Sequence, residues 1–164
     1  MSPRGGAKIT RTTGLSNVGS GTQFSVSGTL DLTESELPFV KTINDLRSGE
    51  IKGTNVVAHL PSKTSSELKT SRDLLMNEEI FSKVESKHGK FPVKHFIRTG
   101  MDPDTVISFI EEGKDKINLL KSFNGATLVI GAERRDGHFI LTFFEPKKKS
   151  YIDSIKKRGR IISR

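Results

Sequence analysis

Residues 126–145 read Ala-Thr-Leu-Val-Ile-Gly-Ala-Glu-Arg-Arg-Asp-Gly-His-Phe-Ile-Leu-Thr-Phe-Phe-Glu, and this stretch decides the fold class. Residues 126–134 and 138–145 are both β-like, rich in β-branched and aromatic side chains. Between them lies Arg135-Asp136-Gly137. Asp-Gly flanked by alternating apolar residues is a strong hairpin signal, because both central turn positions need positive φ. A two-residue turn sets Arg135 opposite His138 and Ala132 opposite Leu141. Cross-strand partners point to the same side. One face then carries Leu128, Ile130, Ala132, Phe139, Leu141 and Phe143 and should pack on helices. The other carries Thr127, Val129, Glu133, Arg135, His138, Ile140, Thr142 and Phe144. It reads either as a solvated side or as a concave binding face.

Upstream of the hairpin the period changes. Ser35 is a candidate N-cap, with Pro38 in the first turn, where its missing donor costs nothing. Leu37, Val40, Ile43 and Leu46 follow at three-residue spacing, and Gly49 ends this helix. Thr64-Ser65-Ser66-Glu67 fits a capping box. The spacing predicts a long helix from about residue 65 to 87, with Met76, Ile80 and Val84 on one stripe and His88-Gly89 at its end. Asp102-Pro103 predicts a shorter helix with Val106, Ile107 and Ile110 inward, interrupted at Gly113. Residues 23–32 alternate as a strand, with Phe24, Val26, Leu30 and Leu32 on one side. The expected fold is α+β, with N-terminal helices packed on a small antiparallel β-sheet. Residues 1–22 hold five glycines and seven hydroxyl residues and read as a flexible basic leader. Residues 23–155 read as a single domain and 156–164 as a basic tail.

The chain has 164 residues, a length that suits one domain. Hydrophobic residues make up 33%, low enough to expect that part of the chain is unpacked. It contains no cysteine, which excludes disulfides, a thiol nucleophile and cysteine-based metal sites. No apolar run reaches the length of a membrane span, and no signal peptide is expected at Met1–Gly6. The net charge of +8 sits at the ends. Residues 1–22 carry three basic and no acidic residues, and residues 147–164 carry eight basic residues against Asp153. A near-neutral body with basic ends suits a polyanion, either nucleic acid or an anionic membrane face.

The four histidines, His59, His88, His95 and His138, match no local metal motif. His95 stands out within Lys94-His95-Phe96-Ile97-Arg98, because flanking cations lower a histidine pKa and keep it available as a base.

Residues 93–155 resemble the barnase–EndoU–colicin–RelE (BECR) ribonuclease superfamily, in the form found in phage head proteins and polymorphic bacterial toxins. The likeness rests on Val93-Lys94-His95-Phe96-Ile97-Arg98, the hairpin through Thr142, and the basic segment Lys149-Ser150-Tyr151. It implies a metal-independent endoribonuclease that uses no cofactor and attacks through the ribose 2′-hydroxyl, leaving a cyclic phosphate. Carried over residue by residue, it makes His95, Arg98, Thr142 and Tyr151 the catalytic candidates. His95 would be the acid or base, Arg98 a phosphate grip and Thr142 a donor to a nonbridging oxygen. Tyr151 would stack or donate a proton. Lys94, Arg135 and Lys149 would bind substrate. Glu133 is a further candidate base, or a partner of Arg134 or Arg135.

The implied substrate is RNA, with transfer RNA one class of target. The implied protein partner is a cognate immunity protein or antitoxin, and the site of action is the cytoplasm of a target or host cell. The alternative is a noncatalytic nucleic-acid-binding or phage structural protein. An ADP-ribosyltransferase-like toxin is a weaker third reading, since no NAD motif is visible. The nuclease reading as drawn requires His95 and Thr142 to meet across one cleft.

Overall fold

The computed structural model describes residues 24, 26 and 29–162. The expected leader, residues 1–22, lies outside them. The order is α1 (Pro38–Ser48), β1 (Asn55–His59), α2 (Ser62–Leu68), β2 (Asp73–Met76), α3 (Glu78–His88), α4 (Val93–Met101), β3 (Thr105–Glu111), β4 (Lys114–Phe123), β5 (Ala126–Arg135), β6 (His138–Pro146), α5 (Lys149–Arg158) and β7 (Arg160–Ile162). Among the described residues the fold is therefore mixed α/β, with five helices and one seven-stranded sheet ordered β1-β2-β6-β5-β4-β3-β7. The sheet is larger than expected, and it is not wholly antiparallel, because β2 runs parallel to β6. Nor are the helices confined to the N-terminal part: α2 and α3 interleave with strands, and α5 follows the hairpin.

α1 forms close to where it is expected, but its N-cap is Leu37, without a side-chain cap bond, and not Ser35, and Leu37 is exposed. Pro38 sits at the first turn, Phe39, Ile43 and Leu46 are buried, and Gly49 caps the end at φ 82°. The long helix expected over 65–87 is interrupted. α2 stops at Lys69, which adopts φ 54°. Thr70 Oγ1 then donates to the Gly137 carbonyl at 2.7 Å, and the Ser71 amide donates to the same oxygen at 2.9 Å. These bonds dock the chain on the hairpin turn and lay Leu74 and Leu75 beside Phe139 and Ile140 as β2. Leu74 and Met76 are fully buried there. Tertiary pairing thus overrides the helical spacing. α3 restarts at Asn77, whose side chain accepts from the Ile80 amide at 2.9 Å.

The helix expected after Asp102-Pro103 is instead β3. Glu112 at φ 54° and Gly113 at φ 76° turn it directly into β4. Of residues 23–32, the described ones form no strand; Phe24, Val26 and Leu32 pack against the core as irregular chain.

The hairpin obeys its expected register from Arg135/His138 to Ala132/Leu141, then slips. Gly131 pairs with Phe143, so Thr142 is the extra residue of a β-bulge. The slip exchanges the two phenylalanines relative to the expected faces. Phe144 enters the main core and Phe143 turns to the opposite side. Gly131 makes this possible: a Cβ there would lie 2.0 Å from the Phe143 ring.

Two apolar layers result. The main one lies between the sheet and α1, α3 and α4, and centres on Phe81, Phe91, Phe96 and Phe144, with ring centroids 4.8–5.1 Å apart. Each such buried ring contributes about 2–3 kcal/mol. The second layer, under α5, is Ile107, Phe109, Leu120, Val129 and Ile155. The domain boundary expected at 155/156 falls inside α5, and Arg160–Ile162 pairs with β3 as an edge strand.

Candidate functional site

The two apolar layers also divide the expected site. α4 covers the main-core side of the sheet, and it carries both His95 and Arg98. The His95 ring meets Phe123 edge-on at 4.8 Å. Burial, with added repulsion from Arg98 and Lys94, holds its pKa below the ordinary 6.5. Arg98 is not free to grip phosphate. Its Nε donates to Glu36 Oε2 at 2.7 Å, and its Nη2 donates to Glu36 Oε1 at 3.0 Å and to the Asp31 carbonyl at 2.7 Å. Glu36 is only 3% exposed, so this fork ties the segment before α1 to α4.

Thr142 and Tyr151 lie on the other side of the sheet. They share a cleft of about 280 Å³ whose lining also includes Lys116, Asn118, Lys147 and Arg158. The sheet stands between this cleft and His95, so the His95–Thr142 pairing required by the nuclease reading as drawn is not formed.

The cleft has its own chemistry. The bulge leaves Thr142 exposed at its rim. Tyr151, in the first turn of α5, accepts a hydrogen bond at its phenolic oxygen from Asn118 Nδ2 at 2.8 Å. Asn118 itself is 1% exposed, and its Oδ1 is buried without a partner. Lys147 Nζ stands 4.4 Å from the centroid of the Tyr151 ring and 5.1 Å from that of Phe143. Glu111 accepts from Lys116 at 3.0 Å and from Arg158 at 3.2 Å. The bond from Lys116, then that from Arg158, holds the Glu111 carboxyl below its ordinary pKa. The cleft thus combines a phenol, a carboxylate, a hydroxyl and three cations.

The remaining expected residues sit apart. Arg135 Nε donates to Glu133 Oε2 at 3.0 Å, and Lys114 approaches the same oxygen at 3.6 Å. Lys149 is exposed at the start of α5 and donates to Asp153 at 2.8 Å. Lys94 is exposed beside His95. His88 is buried at the end of α3, with its Nε2 2.6 Å from Glu145 Oε2. His138 is half-buried, and its Nδ1 has no partner.

Glu111, Lys116, Asn118 and Arg158 were not singled out by the sequence. Lys114, Lys116 and Asn118 do alternate at period two, which marks one face of a strand. That signal was masked by reading 103–113 as helix. Among the described residues no group of three or more His, Asp or Glu side chains could hold a metal ion, and no helix is long and apolar enough to cross a membrane. Compared with models of protein families, with curated proteins and with solved structures, the chain matches none.

Proposed function

We propose that the chain is an endoribonuclease that binds RNA across its α5 face and cleaves it in the Tyr151 cleft, without His95. The supporting observation is the Asn118–Tyr151 hydrogen bond inside a cleft that also holds Thr142 and three cations. Because Asn118 donates to the phenolic oxygen, the phenol's own hydrogen is left to be given elsewhere. In cleavage, the ribose 2′-hydroxyl attacks the adjacent phosphorus and loses its proton, and the bond to the 5′ oxygen breaks as that oxygen gains one. Glu111, held ionised, is the acceptor for the first proton, and Tyr151 is the donor for the second. Lys116, Lys147 and Arg158 stabilise charge on the phosphorane, and Thr142 donates to a nonbridging oxygen. The products are a 2′,3′-cyclic phosphate and a 5′-hydroxyl. A toxic form of such an enzyme would need an inhibitor in the cell that makes it.

The test is incubation of total RNA and transfer RNA with pure protein in EDTA between pH 5 and 8. Cleavage with cyclic phosphate ends is expected. Tyr151→Phe should slow it by about 100-fold, the usual weight of one general acid, and leave RNA binding intact. His95→Gln should leave the rate unchanged.

A second reading is a noncatalytic polyanion binder, favoured by the separation of His95 and Arg98 from Thr142 and Tyr151. Salt-sensitive RNA binding with no cut product would establish it.

A further inference from the structure

The Lys94-His95 motif has no role in the Tyr151 cleft, yet it borders a second cavity on the main-core side of the sheet. This cavity measures about 520 Å³, within the range of small-ligand sites. Its apolar wall is Phe24, Val26, Leu30 and Val93, and its basic rim is Arg47, Lys90, Lys94 and His95. No acidic side chain is among its described lining residues. Arg47 is held in place by Glu85, with Nη2 to Oε2 at 3.1 Å. Lys90 and Lys94 have no carboxylate partner among the described residues, and both are exposed. Neither ring nitrogen of His95 is hydrogen-bonded by a described residue, although the ring is half-buried. Among the described residues, two ammonium groups without a carboxylate partner and one imidazole thus line a cavity that also has an aromatic wall.

We propose that this cavity binds a free mononucleotide, a ring-bearing organic phosphate. The flat base lies against the apolar side chains of Val26, Leu30 and Val93 and beside Phe24, whose ring also packs on Phe144 at 5.0 Å and His88 at 5.6 Å. The phosphate is placed between Lys90 and Lys94, where it neutralises charge that has no carboxylate partner among the described residues. His95 is neutral at pH 7, since burial and the neighbouring cations oppose its protonation. It can therefore both donate to and accept from the ribose hydroxyls. The Tyr151 cleft differs in that a carboxylate, Glu111, is part of its lining.

The site is separate from the proposed cleavage centre, and its test does not depend on cleavage. The whole chain is titrated calorimetrically with adenosine monophosphate, with adenosine and inorganic phosphate as separate arms. Saturable binding of the nucleotide is expected, and each fragment should bind at least ~10-fold more weakly. Lys94→Glu, at an exposed position, should weaken the nucleotide at least ~10-fold without moving the thermal midpoint. His95→Gln should weaken it less. Tyr151→Phe and Thr142→Val should change nothing. The proposal is overturned by an absence of saturable binding at millimolar nucleotide, by Lys94→Glu binding as the parent does, or by loss of binding in Tyr151→Phe.

Discussion

Replacing Arg98 by alanine separates the two roles that residue has been given. In the structure its guanidinium makes a fork with Glu36, at 2.7 and 3.0 Å, and a third bond to the Asp31 carbonyl at 2.7 Å. The side chains are 19% and 4% exposed, so the pair is largely out of water. Removing one partner of such a pair leaves a buried, uncompensated charge, a loss of about 3 kcal/mol at the lower end for partly buried pairs. For a chain of this size that lowers the midpoint of thermal unfolding by about 6–12 °C. The assay is unfolding of Arg98→Ala, Glu36→Ala and the double variant by heat and by urea. The double variant should lose less than Arg98→Ala alone, because it leaves no buried carboxylate without its partner.

The pH dependence of this penalty has a definite sign. Burial alone would raise the Glu36 pKa, but bonds from Arg98 and Thr33 outweigh it and hold the carboxyl below 4.5. A depressed carboxylate stabilises the fold above its unfolded pKa, and that contribution is lost as pH falls through the folded one. The Arg98→Ala penalty should therefore be full at pH 7 and shrink below pH 4.5. A variant that unfolds within about 1 °C of the parent yet fails to cut RNA would refute this reasoning and return Arg98 to the substrate.

Three further outcomes follow from the packing and the charges. Gly131→Ala places a Cβ 2.0 Å from the Phe143 ring; it should cost about 2–3 kcal/mol in urea unfolding, with at least half regained by adding Phe143→Leu. Gly159→Ala puts a Cβ 2.5 Å from Ile107 and 2.8 Å from the Ser108 carbonyl; it should speed amide exchange at Ile162 as β7 loosens from β3, and equal protection in parent and variant would contradict it. The His95 pKa lies below 6.5 in the fold, so protonation favours the unfolded chain; stability should fall as pH drops from 7 towards 5, and His95→Gln should flatten that limb in thermal scans.

The parts of the fold that were legible in sequence are those whose signals are local. Asp136-Gly137 sets a hairpin because both residues adopt positive φ, 50° and 80°. Pro38 and Gly49 bracket α1 because each position demands that residue's backbone behaviour. The misread parts are those settled by distant pairing. Met76, Ile80 and Val84 have helical spacing, yet Met76 belongs to a strand whose partners lie about 65 residues downstream and about 20 upstream. Val106, Ile107 and Ile110, spaced one and three apart, suit one face of a helix, but in β3 Val106 and Ile107 are buried on opposite sides of the sheet and Ile110 is exposed. Their β-branched character and the Glu112-Gly113 turn were the better guide. Asn77, followed by Glu78 and Glu79, was a visible N-cap signal inside the expected long helix.

The site was harder to read than the fold, and one inserted residue shows why. Side chains on a strand alternate, so any inference about a face assumes an unbroken register. The bulge at Thr142 breaks it: Thr142 keeps its expected side, while Phe143 and Phe144 exchange theirs. Nothing in the types of residues 138–145 announces the slip. Its cause is on the partner strand, where Gly131 alone leaves space for a ring. Proximity in sequence failed in the same way for His95 and Arg98. Both were linked to Thr142 by order along the chain, but order does not say on which side of a sheet a helix will pack. α4 is drawn to the main-core side by Phe96 and Ile97, both fully buried, and it carries the imidazole with it. α5 takes the opposite side because Ile155 fills the second apolar layer, and that places Tyr151 over Asn118. The assignment of chemistry therefore follows from which apolar residues choose the face, and the polar candidates are carried along by that choice.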